Sequence, residues 1–320
     1  MGSLSENYPL VAIVGPTAAG KSELALRLAE HLDGEIVNCD SVQAYRGFDI
    51  GTGKIPLSER RGIPHHLLDV VEPGEVFTAG DFRARALGVL TDIRDRGKLP
   101  IVVGGTGLYL RALLLGLFEG PTRSEKLRAR LGSLAERRGR EFLHRMLVRL
   151  DPRAAARIHA RDTPKVIRAL EVRLLARQPM SEMFERGRTG LQGFRVLKAG
   201  LSPERRQLVQ RINARVERMF REGLLDETRG MLERPDAAGI KPLGALGYRQ
   251  ACAVLRGEVG RDEAVRETQA ATRRYAKRQM TWFRREPGVE WFEGFGDDPE
   301  IFKQVLLRVR QALTAAATPT

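Results

Sequence analysis

Cysteine is almost absent from this chain, and that scarcity sets the first limits on what the protein can be. Only Cys39 and Cys252 occur in 320 residues, with no C-x-x-C spacing. A disulfide framework and a cysteine-built zinc site are therefore not expected, and a reducing, cytoplasmic setting is. Long apolar runs are missing too. Leu113 to Phe118 is short, Arg111 stands just upstream, and a bilayer span needs about 20 residues, so no membrane partner is expected. The N-terminus lacks the basic-then-apolar pattern of a signal peptide. Met1-Gly2-Ser3-Leu4-Ser5-Glu6 starts like a myristoylation site but has Glu6 where Ser or Thr is wanted. No internal repeat is visible.

Positive charge is plentiful, and it is localised. The net charge is +14, yet residues 1–120 carry −3 and residues 221–320 carry +2. Residues 121–220 hold 25 Lys and Arg against 10 Asp and Glu, an excess of +15. A small phosphorylated metabolite needs a few basic groups in a pocket. An excess of this size fits a polyanion surface, although a solvated Arg-rich helical face would give the same count.

The phosphate chemistry is written in Gly15-Pro16-Thr17-Ala18-Ala19-Gly20-Lys21-Ser22, which meets G-x-x-x-x-G-K-[ST] at every fixed position. Leu10 to Val14 reads as a buried strand before it. Leu24, Leu28 and Leu32 mark one face of a helix after it. In that context, successive backbone N–H groups and the helix N-terminus form an anion cradle. Lys21 adds a mobile positive charge, and the Ser22 hydroxyl can hold Mg²⁺. With the basic stretch, nucleic acid is the leading partner.

Strands and helices alternate over residues 9–120, which predicts an α/β fold: a P-loop NTPase-like parallel sheet flanked by helices. Strands are expected at Glu35–Asn38 and Ile101–Val103, with another near Pro64–Asp69. Helices are expected over Phe77–Arg96 and from Leu108 to about Leu117. Residues 121–193 read as an inserted, Arg-rich all-α domain, leaving 1–120 and 194–320 as the core. Phe194–Leu201 reads as a strand returning to the sheet. Ser202-Pro203 then predicts a helix start, with Ser as N-cap and Pro at N1, and Gly223 its end. A long helix over about Asp262–Arg285, a strand at Gly288–Phe292 and a last helix over 298–313 complete the chain. Ala315–Thr320 is expected to fray.

Ligands of open α/β sheets bind beyond the carboxyl ends of the strands. Three segments end there: the phosphate loop, Asp40-Ser41-Val42-Gln43 and Gly104-Gly105-Thr106. Asp40 is the one acid among them, able to take a proton or to hold Mg²⁺ through water; Asp-Ser is equally good turn chemistry. Thr106 could donate to a phosphate or simply cap a helix. Arg211, Arg215 and Arg218 share a helix and could supply bidentate donors, or form a solvated face. His65 and His66 point to opposite sides of a strand, which disfavours a shared metal. Tyr275, Gln279 and Trp282 share a helical face that reads as core, with Arg273, Arg274, Lys277 and Arg278 on adjoining faces.

Taken together these segments resemble the tRNA dimethylallyltransferase family. The resemblance is carried by the phosphate loop and by Asp40-Ser41-Val42-Gln43-Ala44-Tyr45-Arg46-Gly47-Phe48-Asp49-Ile50-Gly51-Thr52. It continues through His65-His66-Leu67-Leu68-Asp69, Gly104 to Tyr109, Arg168 to Val172, Gly247 to Gln250 and Tyr275 to Phe283. These occur in the family's order over about residues 9–285. The resemblance implies transfer of a dimethylallyl group from dimethylallyl diphosphate to N6 of the adenosine just 3′ of the anticodon. It implies diphosphate, not ATP, on Gly15 to Ser22, with Mg²⁺ at Ser22. It implies Asp40 as the base, and Lys21, Thr17, Thr106 and Arg215 on the leaving group. It implies tRNA contacts at Asp40 to Gln43, Thr106, Arg128, Pro164-Lys165-Val166-Ile167-Arg168 and Gly247-Tyr248-Arg249. The flank Lys241-Pro242-Leu243 departs from the family's pattern. A monomer acting on the anticodon stem-loop is expected.

Two other readings share the core. A small-molecule P-loop kinase would have no use for the basic stretch. A nucleic-acid-stimulated NTPase would want an acidic residue at the end of the third strand, where Ile101-Val102-Val103 instead runs into Gly104-Gly105.

Overall fold

The computed structural model describes residues 7–185 and 187–317; the N-terminal Met1–Glu6 motif lies outside them. The described chain divides into two compact units, one of residues 1–114 with 191–320 and one of 115–190.

The larger unit is built on six strands: β1 (Tyr8–Val14), β2 (Gly34–Asn38), β3 (His65–His66), β4 (Leu99–Val103), β5 (Phe194–Leu201) and β6 (Val289–Phe292). Their order is β3-β2-β4-β1-β5-β6, and every pairing is parallel. Helices α1 (Lys21–Leu32), α2 (Ala79–Asp95) and α3 (Gly107–Leu115) make the first crossovers. The smaller unit holds α4 (Glu125–Arg138), α5 (Arg140–Leu150), α6 (Pro152–Arg157), α7 (Thr163–Ala176) and α8 (Met180–Glu185). The chain then returns through β5 to α9 (Arg205–Arg221), α10 (Leu224–Leu232), α11 (Tyr248–Leu255), α12 (Arg261–Phe283) and α13 (Pro299–Ala317).

Burial on both faces explains why β1 is a continuous apolar run and not an alternating one. Val11 and Ile13 pack with Leu24 and Leu28 of α1 and Val305 of α13. Leu10, Ala12 and Val14 pack with Phe82 and Leu90 of α2 and Leu113 of α3. The parallel sheet and its flanking helices are as the sequence predicts. So is β5, which spans Phe194–Leu201 and runs beside β1 along its full length.

Three local expectations are corrected. Ser202 does not cap α9: its N–H donates to the Phe292 carbonyl at 2.9 Å, extending the sheet pairing. Glu204 caps instead, accepting from the amides of Arg206 at 2.7 Å and Gln207 at 2.8 Å. Gly223 does not merely end α9. It turns left-handed at φ 108° and opens α10, a helix the sequence reading passed over. At the C-terminus α13 continues to Ala317, so Ala315 to Ala317 are helical; Thr318 to Thr320 lie outside the described residues.

The smaller unit has its own core, in which Leu143, Leu147, Val166, Ala169 and Leu170 are buried. Glu171 is buried beneath it, at 0 % exposure. The carboxylate accepts from Arg128 at 2.9 Å, Arg168 at 2.7 Å and the Ser124 amide at 2.8 Å. Burial alone would raise the Glu171 pKa, but the two guanidinium bonds outweigh it and hold the carboxyl below its ordinary value. Its stabilising contribution is therefore present above the ordinary carboxylate range and lost as pH falls through the lowered value. Removing the acid strands two cations. Glu171→Ala should cost residues 115–190 about 3–5 kcal/mol, read as lost amide-exchange protection in α4 and α7.

Candidate functional site

The order β2-β4-β1 puts three neighbouring strands side by side, so their carboxyl ends deliver three loops to one place. β1 delivers Gly15 to Ser22. β2 delivers Asp40 to Gln43. β4 delivers Gly104 to Thr106. A polar cleft there is lined by Thr17, Lys21, Ser22, Asn38, Asp40, Gln43, Gly105 and Arg215, among others.

The phosphate loop turns left-handed at Ala18 and Gly20. Gly20 cannot carry a side chain: its φ is +81°, and a Cβ would sit 2.9 Å from the amides of both Gly296 and Asp297. The 295–298 turn is clamped on the loop by the Gly296 N–H, which donates to the Ala19 carbonyl at 2.8 Å. Lys21 is less mobile than its sequence suggests. Its Nζ donates to the Pro16 carbonyl at 2.7 Å. Burial, helped by the nearby Arg215 and opposed by Asp40, lowers its pKa to about 8. Ser22 is exposed at the start of α1.

Asp40 is both turn residue and free acid. Its Oδ1 accepts from the amides of Val42 at 2.9 Å and Gln43 at 3.3 Å. Its Oδ2 is spared by these bonds, and the carboxylate lines the cleft. Thr106 stands behind it, its hydroxyl accepting from the Ser41 amide at 3.2 Å. Thr106 thus braces the Asp40 turn and is not among the residues lining the cleft.

The three arginines of α9 part company. Arg211 is paired with Asp297 at 2.7 Å. Arg218 faces Glu222 at 3.9 Å. Arg215 turns into the cleft, donating to the Thr52 carbonyl at 2.9 Å, and burial lowers its pKa.

A second, more apolar cavity opens beside the first. It is lined by Ser41, Val42, Met219, Leu246, Gly247 and Tyr248. Thr17, Asp40, Thr52, Arg215 and Tyr275 line both, so Asp40 sits at the waist between them. Several residues expected to meet RNA are differently engaged. The side chains of Val166 and Tyr248 are at 0 % exposure and serve the two cores. The Tyr248 hydroxyl donates to Glu227 at 2.5 Å. Arg128 and Arg168 are both held by Glu171. Pro164, Lys165 and Arg249 are exposed, and Ile167 is half-buried.

Two site residues escaped the sequence reading, which took the Tyr275 stripe for core. Gln279 is buried, yet its Oε1 accepts from the Thr17 amide at 2.8 Å and its Nε2 donates to the Gly105 carbonyl at 3.0 Å. It ties the β1 and β4 loops together. Gly105 leaves the room, since a Cβ there would lie 2.2 Å from Nε2. Tyr275 bonds Gln279, and burial beside Asp40 pushes its phenol far up. A polar residue in the apolar stripe of a long helix was the available signal. Replacing Gln279 with Leu keeps the bulk and removes both bonds. At about 1 kcal/mol per neutral hydrogen bond, Thr17 amide exchange should accelerate roughly five- to tenfold.

Among the described residues no three His, Cys, Asp or Glu gather as a metal cage, and no helix is long and apolar enough to cross a membrane. Comparison with known proteins is unambiguous about kinship. The IPP transferase family model matches residues 43–286, beginning just after Asp40. A tRNA dimethylallyltransferase of Solibacter usitatus is 56% identical over 95% of this chain and 99% of its own length. One from Geobacter metallireducens is 49% identical over 94% and 97%. Among solved structures, the Bacillus halodurans tRNA isopentenylpyrophosphate transferase is similar at a TM-score of 0.72, with 38% identity over 97% of this chain and 98% of that one. A eukaryotic dimethylallyltransferase solved acting on tRNA has a TM-score of 0.82 and 28% identity, over 97% of this chain and 80% of its own. On this likeness, which reaches the phosphate loop as well as the matched stretch, the chain belongs to the IPP transferase family.

Proposed function

We propose that this protein transfers the dimethylallyl group of dimethylallyl diphosphate to N6 of the adenosine 3′-adjacent to the anticodon of tRNA, releasing diphosphate. One observation carries the reading. Asp40, the only acid among the described residues that line the polar cleft, stands at the waist between that cleft and the second cavity. The cleft offers a diphosphate the amides of the phosphate loop, Lys21 and Arg215. The second cavity offers an unstacked base the turn from Asp40 to Val42 and the wall at Gly247. The two substrates would meet where Asp40 is.

The chemistry needs that arrangement. The C1–O bond to diphosphate breaks and its electron pair leaves with the diphosphate. The C1–N6 bond forms, and the exocyclic amine, a poor nucleophile, must shed a proton as it does. Asp40 would take it on Oδ2 while Oδ1 stays fixed by Val42 and Gln43. Lys21 and Arg215 would stabilise charge growing on the leaving group; burial lowers the pKa of both, and the Asp40 carboxylate opposes the shift in each. Thr106 would act at one remove, through Ser41.

A divalent ion fits the donor set. Ser22 presents a hydroxyl at the start of α1, and without a protein cage the remaining ligands would be diphosphate oxygens and water, as Mg²⁺ prefers. When bound, Mg²⁺ would add positive charge on the leaving diphosphate. The reading carries with it a cytoplasmic monomer in which Cys39 and Cys252 stay buried thiols.

RNA docking follows the charge. Residues 121–190 hold +10 of the +15 excess, and the other +5 lies in 191–220, in the larger unit. On the smaller unit, Lys165 and Arg161 are exposed and would meet a tRNA stem-loop.

The deciding experiment incubates the protein with unmodified tRNA, Mg²⁺ and labelled dimethylallyl diphosphate. Label should enter the RNA, and Asp40→Asn should cut turnover about 10²–10⁴-fold, far more than it weakens tRNA binding. Absence of label together with phosphate transfer from ATP would favour the kinase reading. Replacing both Arg161 and Lys165 with Ala should lower the slope of log Kd against log salt by roughly 1–2. An unchanged slope would remove those two residues from the RNA interface.

A further inference from the structure

One buried polar atom in the cleft has no task in this reading. His65 lies in β3, in register with Ile36 of β2, and lines the cleft with Lys21, Ser22 and Asp40. Its Nδ1 is 2.8 Å from the Ile63 carbonyl oxygen. A carbonyl only accepts, so Nδ1 carries the ring proton, and Nε2 of the neutral ring holds a lone pair. That Nε2 is buried and meets no hydrogen-bond partner among the described residues. His66, next along the strand, is satisfied by Glu35 at 2.6 Å. The orphan therefore belongs to the cleft side of the strand. An unpaired buried acceptor costs about 1–3 kcal/mol, which points to a donor that arrives with the ligand.

Few donors can arrive. An ionised prenyl diphosphate carries only acceptors. The adenosine amine would come through the second cavity, whose lining includes Asp40 and Tyr275 but not His65. The Lys21 ammonium donates one N–H to the Pro16 carbonyl and would turn the others to the diphosphate. There remains the water that a divalent cation brings. An ion beside Ser22 would keep several waters, because the described residues hold no carboxylate or imidazole cage to strip it.

We propose that His65 is an outer-sphere ligand of the cation–diphosphate complex, its Nε2 accepting a hydrogen bond from a water in the ion's hydration shell. This rests on the diphosphate and Mg²⁺ reading above. Such indirect partners tune metal affinity through the orientation of what the metal binds. His65 is in this sense a positioning residue; it touches no reacting atom.

The test is calorimetric binding of inorganic diphosphate to the full chain, with Mg²⁺ and with EDTA. His65→Leu should raise the Mg²⁺ concentration for half-maximal binding about tenfold and leave metal-free diphosphate affinity unchanged. His65→Gln, which returns an acceptor, should recover most of the loss. Equal losses with and without Mg²⁺ would mean that the ring meets the anion or merely shapes the loop, and would overturn the proposal. So would an unshifted Mg²⁺ requirement in a folded His65→Leu protein. A wild-type chain that binds diphosphate without regard to Mg²⁺ would instead overturn the parent reading, and this inference with it.

Discussion

One buried amide holds the site together. Gln279 reaches from α12 to the Thr17 N–H, 262 residues away in sequence, and to the Gly105 carbonyl. Hydrogen bonds to a fixed amide plane set distance and direction at once, which packing alone does not. The β1 loop is thereby registered against the β4 loop. Thr106 on the latter registers the Asp40 turn through the Ser41 amide. The phosphate loop and the Asp40 turn are thus spaced by a chain of three short contacts, none of which depends on a ligand. Preorganisation of this kind is what electrostatic catalysis requires, since groups that must move on binding lose the advantage of being aimed.

The same loops are held from outside by charge. Lys54 is buried, and its ammonium meets Asp49 and Asp69 at 2.6 Å and the Tyr45 carbonyl at 2.9 Å. Glu227 of α10 accepts from the amides of Asp49 at 3.0 Å and Ile50 at 2.8 Å. Between them they pin the segment whose Thr52 carbonyl receives both Arg215 and Gln43. The motif Asp49-Ile50-Gly51-Thr52 therefore acts as a support for Arg215. Burial works against the guanidinium charge, and the Thr52 carbonyl and the Asp40 carboxylate offset that cost.

Much of this was legible in the chain. The phosphate loop, the strand ending at Asp40 and the returning strand Phe194–Leu201 all follow from local pattern, because both faces of a parallel sheet must be apolar. What was not legible is whatever depends on contacts distant in sequence. Periodicity assigned Gln279 to a core face, and the face is indeed buried; it could not reveal that the burial is against backbone polar groups. Ser202-Pro203 looked like a helix start because cap propensity is local, whereas its amide was claimed by β6. Family-wide stretches named surfaces and not side chains, so Val166 and Tyr248 entered the RNA-facing set although both are core. His65 shows the opposite case: alternation along a strand speaks against a metal shared with His66, and only the cleft lining and the orphaned Nε2 mark the residue out.

The acid count of the cleft bears on which bond breaks. Phosphoryl transfer in a P-loop site needs one acid to hold the metal and a separate group to orient or deprotonate the nucleophile. Among the described residues lining this cleft, Asp40 is the one acid. It lies at the waist toward the second cavity, with one oxygen already committed to its own turn. With Oδ1 bonded to the turn, Oδ2 is the oxygen left for either task. Alkyl transfer asks less of the metal side, since the attacked atom is carbon and the phosphate only departs. A cleft with a loop lysine, an arginine from α9 and Asp40 as the acid among its described lining residues suits a departing phosphate better than a transferred one.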